Sequence, residues 1–189
     1  MAATFPSFDE VQKVRGKLLK IAYEHWVHDD FLTWKWWLLI VLSIVPWLVW
    51  IKIIDRERVH EILLYGFFIA ICAIALDNIG TDLLWWGYPD KLLPMIPPLF
   101  PADWTLVPVI LMVVYQFFHT WRSFIVANLV LGAFLAYLAE PVFIWLDFYQ
   151  LYSWKLTYSY LFYIVTALVG RWLVLKTLSD AQRSRHPGK

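Results

Sequence analysis

The chain has 189 residues, of which 61% are hydrophobic and 19% aromatic, and its formal net charge is +1. This composition lies outside the norm for soluble globular domains and is typical of a multi-pass membrane protein. The near-neutral charge excludes a strong field for nucleic acid, and the single cysteine, Cys72, excludes an internal disulfide. The chain has no Gly-rich phosphate loop, nucleophile elbow or HExxH motif, and we predict no cofactor.

Residues 1–33 predict an amphipathic N-terminal helix, over residues 8–28, and a linker. Ser7 and Glu10 have the spacing of a capping box at its start. Apolar residues then recur on one face, at Val11, Val14, Leu18 and Ile21. Bases cover the polar side, at Lys13, Arg15, Lys17 and Lys20. Such a helix can lie in the headgroup region with Trp26 as an anchor, or pack on the protein's own bundle.

Residues 34–176 predict an all-α transmembrane bundle of about five spans. In chain order the predicted spans cover residues 36–54, 59–79, 106–118, 123–139 and 158–175. Pro46 lies inside the first span and should bend it. Residues 142–157 predict either a second interfacial segment or a continuation of the fourth span. The polar tail, residues 177–189, is expected to fray.

The stretch from Asp77 to Trp104 differs from the apolar segments around it. It contains five prolines, which disfavour a continuous helix. Its one base, Lys91, is accompanied by four acids, at Asp77, Asp82, Asp90 and Asp103. We therefore predict a Pro-rich loop outside the bilayer, unless part of it re-enters the membrane buried in protein.

Basic residues are concentrated at one end of the predicted bundle. They are Lys52, Arg56, Arg58, Arg122, Arg171, Lys176, Arg183, Arg185 and Lys189. The connections at the other end contain only Lys91 and Lys155. The positive-inside rule therefore predicts a cytoplasmic C-terminus and an outer Pro-rich loop. Five spans then leave the N-terminal helix outside, which its near balance of acids and bases tolerates.

Asp77 and Glu140 are the candidate catalytic residues, because carboxylates at membrane depth are costly. Each lies at the outer end of a predicted span and is followed by a helix breaker, Gly80 or Pro141. Two carboxylates in one cavity could act as acid and base, bind a cation or relay protons. Alternatively, they cap the helix ends and bind nearby indole and hydroxyl groups. The predicted substrate-binding residues are Asp82, Trp85, Tyr88, Asn128 and Trp145.

A metal site is not predicted. His25, His28 and Asp29 are close enough in sequence to form a small cluster. Exposed clusters of this kind usually bind no metal, and the spacing of a zinc motif is absent.

The chain resembles an uncharacterised family of small multi-pass membrane proteins of endospore-forming bacteria. Four stretches carry the resemblance: DKLLPMIPPLFPADWTLVPVILMVVYQF, TWRSFIVANLVLGAF, EPVFIWLDFYQLYSWK and GRWLV. Together they span roughly residues 33–180. The resemblance implies a bacterial inner-membrane location and brings no established activity.

A more local resemblance concerns the small membrane lycopene-cyclase domains. It is carried by Asp77-x-x-Gly80-Thr81-x-x-x-Trp85-x-x-Tyr88-Pro89. It implies a pocket for an isoprenoid or lipid under the outer leaflet, near Asp77. Those domains continue with Pro-Leu-Glu-Glu, where this chain reads Leu93-Pro94-Met95-Ile96.

Three functions stay open at this point. The first is a structural, assembly or sensing component that contacts membrane lipid or a membrane protein partner. The second is an intramembrane enzyme that acts on an isoprenoid or lipid, with Asp77 and Glu140 as acid and base. The third is a small transporter, whose polar path would use Asn128 and Gln116.

Overall fold

The structure is a computed structural model, and it describes residues 5–94 and 99–185. The helices are α1 (Phe8–His25), α2 (Trp34–Ile53), α3 (Val59–Asp82), α4 (Val107–Phe117), α5 (Trp121–Phe134), α6 (Glu140–Trp145) and α7 (Leu156–Arg185). Short π-helical turns cover Trp26–Asp30, Ala102–Leu106 and Leu135–Ala139. Two short strands, β1 (Trp86–Gly87) and β2 (Gln150–Leu151), pair antiparallel. The predicted all-α architecture is confirmed, whereas positions 95–98 and 186–189 lie outside the described residues.

Among the described residues, four helices are long and apolar enough to cross a membrane. They cover Trp34–Ile53, Val59–Asp82, Trp121–Trp145 and Leu156–Ala181. Large apolar side chains on these helices are exposed, among them Leu48, Phe67, Val130 and Val165. Exposed apolar surface of this extent is costly in water and favourable in lipid. The fold therefore supports an integral, multi-pass membrane protein.

The third predicted span, residues 106–118, is part of a shorter apolar helix that covers Ala102–Phe117. It begins earlier than predicted, because the turn Ala102–Leu106 is helical. This helix still connects the two ends of the bundle. At one end Asp103 lies beside Asp77, and at the other Arg58 donates a 3.5 Å hydrogen bond to the Gln116 carbonyl.

The segment after the fourth predicted span continues as helix. The turn Leu135–Ala139 leads directly into α6, so a continuous helix runs from Trp121 to Trp145. Pro141 lies in the first turn of α6, where a missing N–H costs little. The chain then leaves the helix, pairs through β2 and enters α7 at Leu156.

The bundle has two ends that differ in their connections. At the end where most bases lie, which we call the inner end, short turns join α2 to α3 and α4 to α5. At the opposite end, which we call the outer end, lie two longer connections, residues 83–101 and 146–155, which we call the outer loops. The β1–β2 pair joins the outer loops, and the Trp85 carbonyl accepts hydrogen bonds from the N–H groups of Tyr152, Ser153 and Trp154.

Residues 25–36, which we call the N-terminal segment, contact the first outer loop and fix its position. His25 contacts the Pro89 carbonyl at 3.3 Å, and Asp30 accepts a 3.0 Å hydrogen bond from the Lys91 N–H. Two indoles donate to backbone carbonyls of the same loop, Trp26 to Lys91 and Trp36 to Leu92. Lys35 forms a 2.5 Å ion pair with Asp90 and donates to the Asp147 carbonyl at 3.3 Å. The segment thereby anchors the loop directly after Tyr88.

Candidate functional site

Asp77 is a buried carboxylate near the outer end of α3. It is 4% exposed and accepts three hydrogen bonds from the first outer loop. The donors are the Trp86 indole at 2.8 Å, the Tyr88 hydroxyl at 2.6 Å and the Leu99 N–H at 3.3 Å. Asp77 therefore orders the loop that follows its own helix.

The residues after Asp77 explain why this arrangement forms locally. Gly80 lies one helical turn further on, under the Trp86 ring. A Cβ at Gly80 would come within 2.1 Å of that ring, so only glycine allows the indole to reach Asp77. Thr81 donates a 2.8 Å hydrogen bond to the Asp77 carbonyl in the last turn of the helix.

Asp103 lies beside Asp77 in the helical turn that precedes α4. Its carboxyl group neighbours that of Asp77. It is 8% exposed, and no donor among the described residues hydrogen-bonds to its Oδ2. Asp103 thus places a second buried carboxyl group next to that of Asp77.

Glu140 lies at the start of α6 and faces α7. It accepts a 3.0 Å hydrogen bond from Ser159 and a 2.9 Å hydrogen bond from Tyr163, one turn apart on α7. The Trp154 indole in turn donates to the Ser159 hydroxyl at 2.9 Å. All of these donors are neutral.

One cavity of about 310 Å³ brings the two sets of residues together. Asp77, Asp103 and Glu140 all line it, and its described lining contains no Lys or Arg. Aromatic residues form much of the wall, among them Trp86, Tyr88, Phe143, Tyr149, Trp154, Phe162 and Tyr163. Aliphatic residues complete it, including Leu42, Leu76, Leu99, Leu106, Val107 and Ile110. The cavity is thus apolar and aromatic apart from a few hydroxyl, indole and carboxyl groups.

Two tyrosines of the outer loops, Tyr88 and Tyr149, remain protonated in this setting. Burial raises the pKa of Tyr88 well above its ordinary value, and the neighbouring Asp77 charge adds to the effect. Burial likewise raises the pKa of Tyr149, with smaller contributions from Glu140 and Asp77. The two rings stack at a centroid distance of 5.4 Å. Both hydroxyls are therefore hydrogen-bond donors rather than bases.

The structure separates the residues predicted from sequence into two groups. Asp77, Glu140 and Tyr88 line the cavity. Trp85 lies behind the wall, where it stacks on Trp154 at 5.2 Å, and Asp82 is exposed at the end of α3.

The other two predicted substrate-binding residues also lie outside the cavity lining. Trp145 is 81% exposed. Asn128 is buried in α5, where its amide donates a 2.8 Å hydrogen bond to the Phe124 carbonyl of the same helix. Neither residue contacts the carboxyl groups that line the cavity.

Sequence reasoning missed several polar residues of the cavity. Asp103 was assigned to the Pro-rich loop, so its place in a helix beside Asp77 was not foreseen. Ser159 and Tyr163 recur at i and i+4 in an apolar span, and this spacing is the signal that could have identified them.

The predicted cluster near the N-terminus forms only in part. His25 contacts Asp29 at 2.8 Å and lies 3.6 Å from Asp30. Within the described ranges, no group of three or more His, Cys, Asp or Glu residues is arranged to hold a metal ion. The cluster instead contacts the Pro89 carbonyl.

Comparison of the chain with protein families, curated proteins and solved structures finds no significant match. The two resemblances described above therefore stay predictions. The class that the fold supports is a multi-pass helical membrane protein. Its distinguishing feature is a cavity at the outer end into which three carboxyl groups face.

Proposed function

We propose that the outer cavity binds the end of an isoprenoid or another long apolar lipid, and that its carboxyl groups transfer protons to and from this ligand. The observation that carries the proposal is the presence of three carboxyl groups in one apolar, aromatic cavity. Its volume of about 310 Å³ lies at the small end of ligand pockets. The cavity would therefore take the end of a long chain, with the remainder in the bilayer.

Asp103 is the acid in this proposal, and Asp77 is its partner. Asp77 already accepts hydrogen bonds from Trp86, Tyr88 and Leu99, so we assign the transferred proton to its neighbour Asp103. A protonated carboxyl group in an apolar site is a competent proton donor. This assignment extends the sequence-based pair, Asp77 and Glu140, by one residue.

Glu140 is the base. Hydrogen bonds from Ser159 and Tyr163 hold its carboxyl group at the wall of the cavity. The Asp103 O–H bond breaks, and its proton adds to a carbon–carbon double bond of the ligand, which becomes a carbocation. Glu140 then removes a proton from a neighbouring carbon, and the electron pair of that C–H bond forms a new double bond. The net reaction of these steps is a double-bond isomerisation. It becomes a cyclisation where the electron pair of a second double bond of the ligand first forms a C–C bond to the carbocation, which moves the positive charge to that bond's other carbon before Glu140 removes the proton. Solvent then returns the proton from Glu140 to Asp103.

The aromatic wall supports a cationic intermediate. The Trp86 and Trp154 rings lie 4.8 Å apart by centroid, and both line the cavity. Aromatic faces attract cations, by up to about 2 kcal/mol where water is excluded. No neighbouring Lys or Arg in the described lining opposes the positive charge.

The test is mass spectrometry of lipids that co-purify with the protein in mild detergent. The wild type is compared with Asp103→Asn and Glu140→Gln. Asp82→Asn serves as the matched control, because this carboxylate is exposed five residues after Asp77. We expect a stoichiometric isoprenoid or lipid in the wild type and the control, and an unconverted form of it in both cavity variants. Bulk phospholipid alone, unchanged by the variants, contradicts the proposal.

A non-enzymatic role as a structural, assembly or sensing component is the second candidate. It is favoured by the hydrogen bonds of Asp77 and Glu140, which join the first outer loop to α3 and α6 to α7. In that case, both carboxylates hold the fold together, and their loss lowers stability without changing any lipid product.

A transporter is not proposed. The polar path that it requires would use Gln116 and Asn128. Gln116 donates to the Ile53 carbonyl at 2.8 Å, and Asn128 donates to a carbonyl of its own helix. Both amides are thus engaged with backbone and lie away from the cavity.

A further inference from the structure

We infer that the apolar face of α1 docks on the headgroup region of the bilayer in which the protein itself is embedded. The inference is independent of what the outer cavity binds. It concerns the four apolar residues of one helix face, Val11, Val14, Leu18 and Ile21, which we call the α1 face.

The α1 face has no partner within the described part of the chain. Its residues are 44–69% exposed, and α1 contains no buried residue at all. The described residues therefore give no support to the alternative that this helix packs on the protein's own bundle. A stripe of four aliphatic side chains in water is unfavourable by about 25 cal/mol per Å² of apolar area. The stripe thus requires a cover that the described bundle does not provide.

The helix itself is firmly defined despite this exposure. Ser7 and Glu10 form the predicted capping box, with hydrogen bonds of 2.7 and 3.2 Å between side chains and backbone. Its first turn contains the acids Asp9 and Glu10, which favour a helix N-terminus. A capped helix with an uncovered apolar stripe is the form that interfacial helices take.

The position of α1 selects the bilayer as the cover. Its C-terminal end is held at the outer end of the bundle by the contacts of His25 and Trp26 with the first outer loop. Exposed apolar side chains recur further along the chain, beyond the exposed polar residues His28 and Asp29. They are Phe31, Leu32, Trp34 and Trp37, followed by Val41, Ile44 and Val45 on the first span. The chain thus leads from the α1 face to a helix that is long and apolar enough to cross a membrane.

The charges of α1 fit the same placement. Its bases Arg15 and Lys17 flank the α1 face, Lys13 and Lys20 lie on the opposite side, and all four are exposed. With the α1 face in the apolar boundary, these charged groups reach water and headgroup phosphates, as long basic side chains do at interfaces.

The test measures the surroundings of single spin labels on α1 in vesicles of phosphatidylethanolamine and phosphatidylglycerol. Cys72→Ala removes the native thiol, and labels are placed through Val14→Cys, Leu18→Cys, Lys13→Cys and Lys20→Cys. Collision with oxygen reports lipid, and collision with a water-soluble nickel chelate reports solvent. We expect several-fold higher oxygen collision and nickel protection at positions 14 and 18, and the reverse at 13 and 20.

Two outcomes overturn the inference. Equal access of nickel to all four labels shows that α1 projects into water. Protection of positions 14 and 18 from both reagents shows that protein, such as a second copy of this chain, covers the α1 face. The control labels on the polar side lie on the same helix and share its mobility. The comparison is therefore independent of how ordered the helix is.

Discussion

The two ends of the bundle bury carboxyl groups in opposite ways. At the inner end, Glu61 pairs with Arg58 at 2.9 Å and accepts a 2.5 Å hydrogen bond from Tyr115. At the outer end, Asp77 and Glu140 accept hydrogen bonds only from neutral groups among the described residues, and Asp103 adds a third acid. Of these four carboxyl groups, Glu61 alone has a basic partner among the described residues.

The two ends of the bundle also differ in how closely the side chains pack around their polar groups. At the inner end the guanidinium of Arg171 lies 4.4 Å from the Phe124 ring centroid and donates to the Phe118 and His119 carbonyls. Tyr65 and Tyr115 stack beside it at 4.4 Å. At the outer end, the carboxyl groups border a cavity of about 310 Å³. A charge that is paired and closely packed stabilises the fold, whereas an unpaired one beside free space is available for chemistry.

The largest effect on stability is expected when the inner end loses the guanidinium group of Arg171. Arg171→Met removes two charge-assisted hydrogen bonds and should lower the free energy of unfolding by about 3 kcal/mol or more. Lys176→Met, an exposed base on the same helix, should change it by less than about 1 kcal/mol. Unfolding in mixed micelles, followed by circular dichroism, measures both. Equal stability of the two variants would show that the inner end is not held by Arg171.

The next largest effect concerns the packing of the Trp86 indole on Gly80 at the outer end. Gly80→Ala places a Cβ within 2.1 Å of the ring, so the indole must move away from Asp77. We expect a loss of about 1–3 kcal/mol in stability, together with loss of any retained lipid. Gly16→Ala is the matched control, because nothing lies within 4 Å of a Cβ there. Helix propensity should make the control slightly more stable.

Asp77→Asn and Asp103→Asn sharpen the comparison within the outer end. Asp77→Asn replaces one accepting oxygen by an amide N–H group and should cost about 1–2 kcal/mol. Asp103→Asn removes an acid from an acidic pair and offers Asp77 a donor, so stability should be unchanged or slightly higher. The same unfolding assay compares the two. An equal loss in both variants would assign Asp103 a structural role and argue against its role as the acid.

The smallest effect is a pH dependence in the N-terminal segment. Burial lowers the pKa of His25, but the Pro89 contact and the charges of Asp30 and Asp29 outweigh it, so the net pKa is raised. Protonated His25 therefore stabilises the contact with the first outer loop below its unfolded pKa of about 6.5. This stabilisation is lost as pH rises through the raised value.

Asp30 changes the contact in the same direction. Burial raises its pKa, so the folded state binds its proton more tightly, and this contribution falls as pH rises above the unfolded value. The Lys91 amide donates to Asp30. Its protection factor, the slowing of its hydrogen exchange relative to the unfolded chain at the same pH, should therefore fall between acidic and neutral pH. In His25→Gln the change near neutral pH should be smaller; an identical profile would refute the role of His25.

Much of the fold could be predicted because apolar length and capping residues are local signals. The Ser7 capping box and the helical segments followed from spacing alone. Asp77 and Glu140 were identifiable because a carboxylate at membrane depth is costly wherever the bundle places it. The sequence could not show that both line one cavity, because that depends on how α3, α6 and the outer loops pack.

Other features depend on tertiary contacts that override local preference. The helix that contains Asp103 begins inside a Pro-rich stretch, where loop was predicted. Leu32 and Leu84 adopt left-handed backbone conformations, with φ of 62° and 54°, in turns at the outer end. Leucine rarely adopts this conformation, and no local signal indicates it. Arg171, counted among the bases of the inner end, is 5% exposed and clamps a turn instead.

The anchoring of the outer loops by the N-terminal segment sets an order for biosynthesis. Lys35 contacts Asp90, 55 residues later, and the Asp147 carbonyl, 112 residues later. Such distant contacts form late, after long stretches of chain have been made and inserted. A nascent chain that stops before β2 contains α1 to α6 but cannot pair its first outer loop with the second. The cavity is therefore among the last parts of the molecule to be completed during translation.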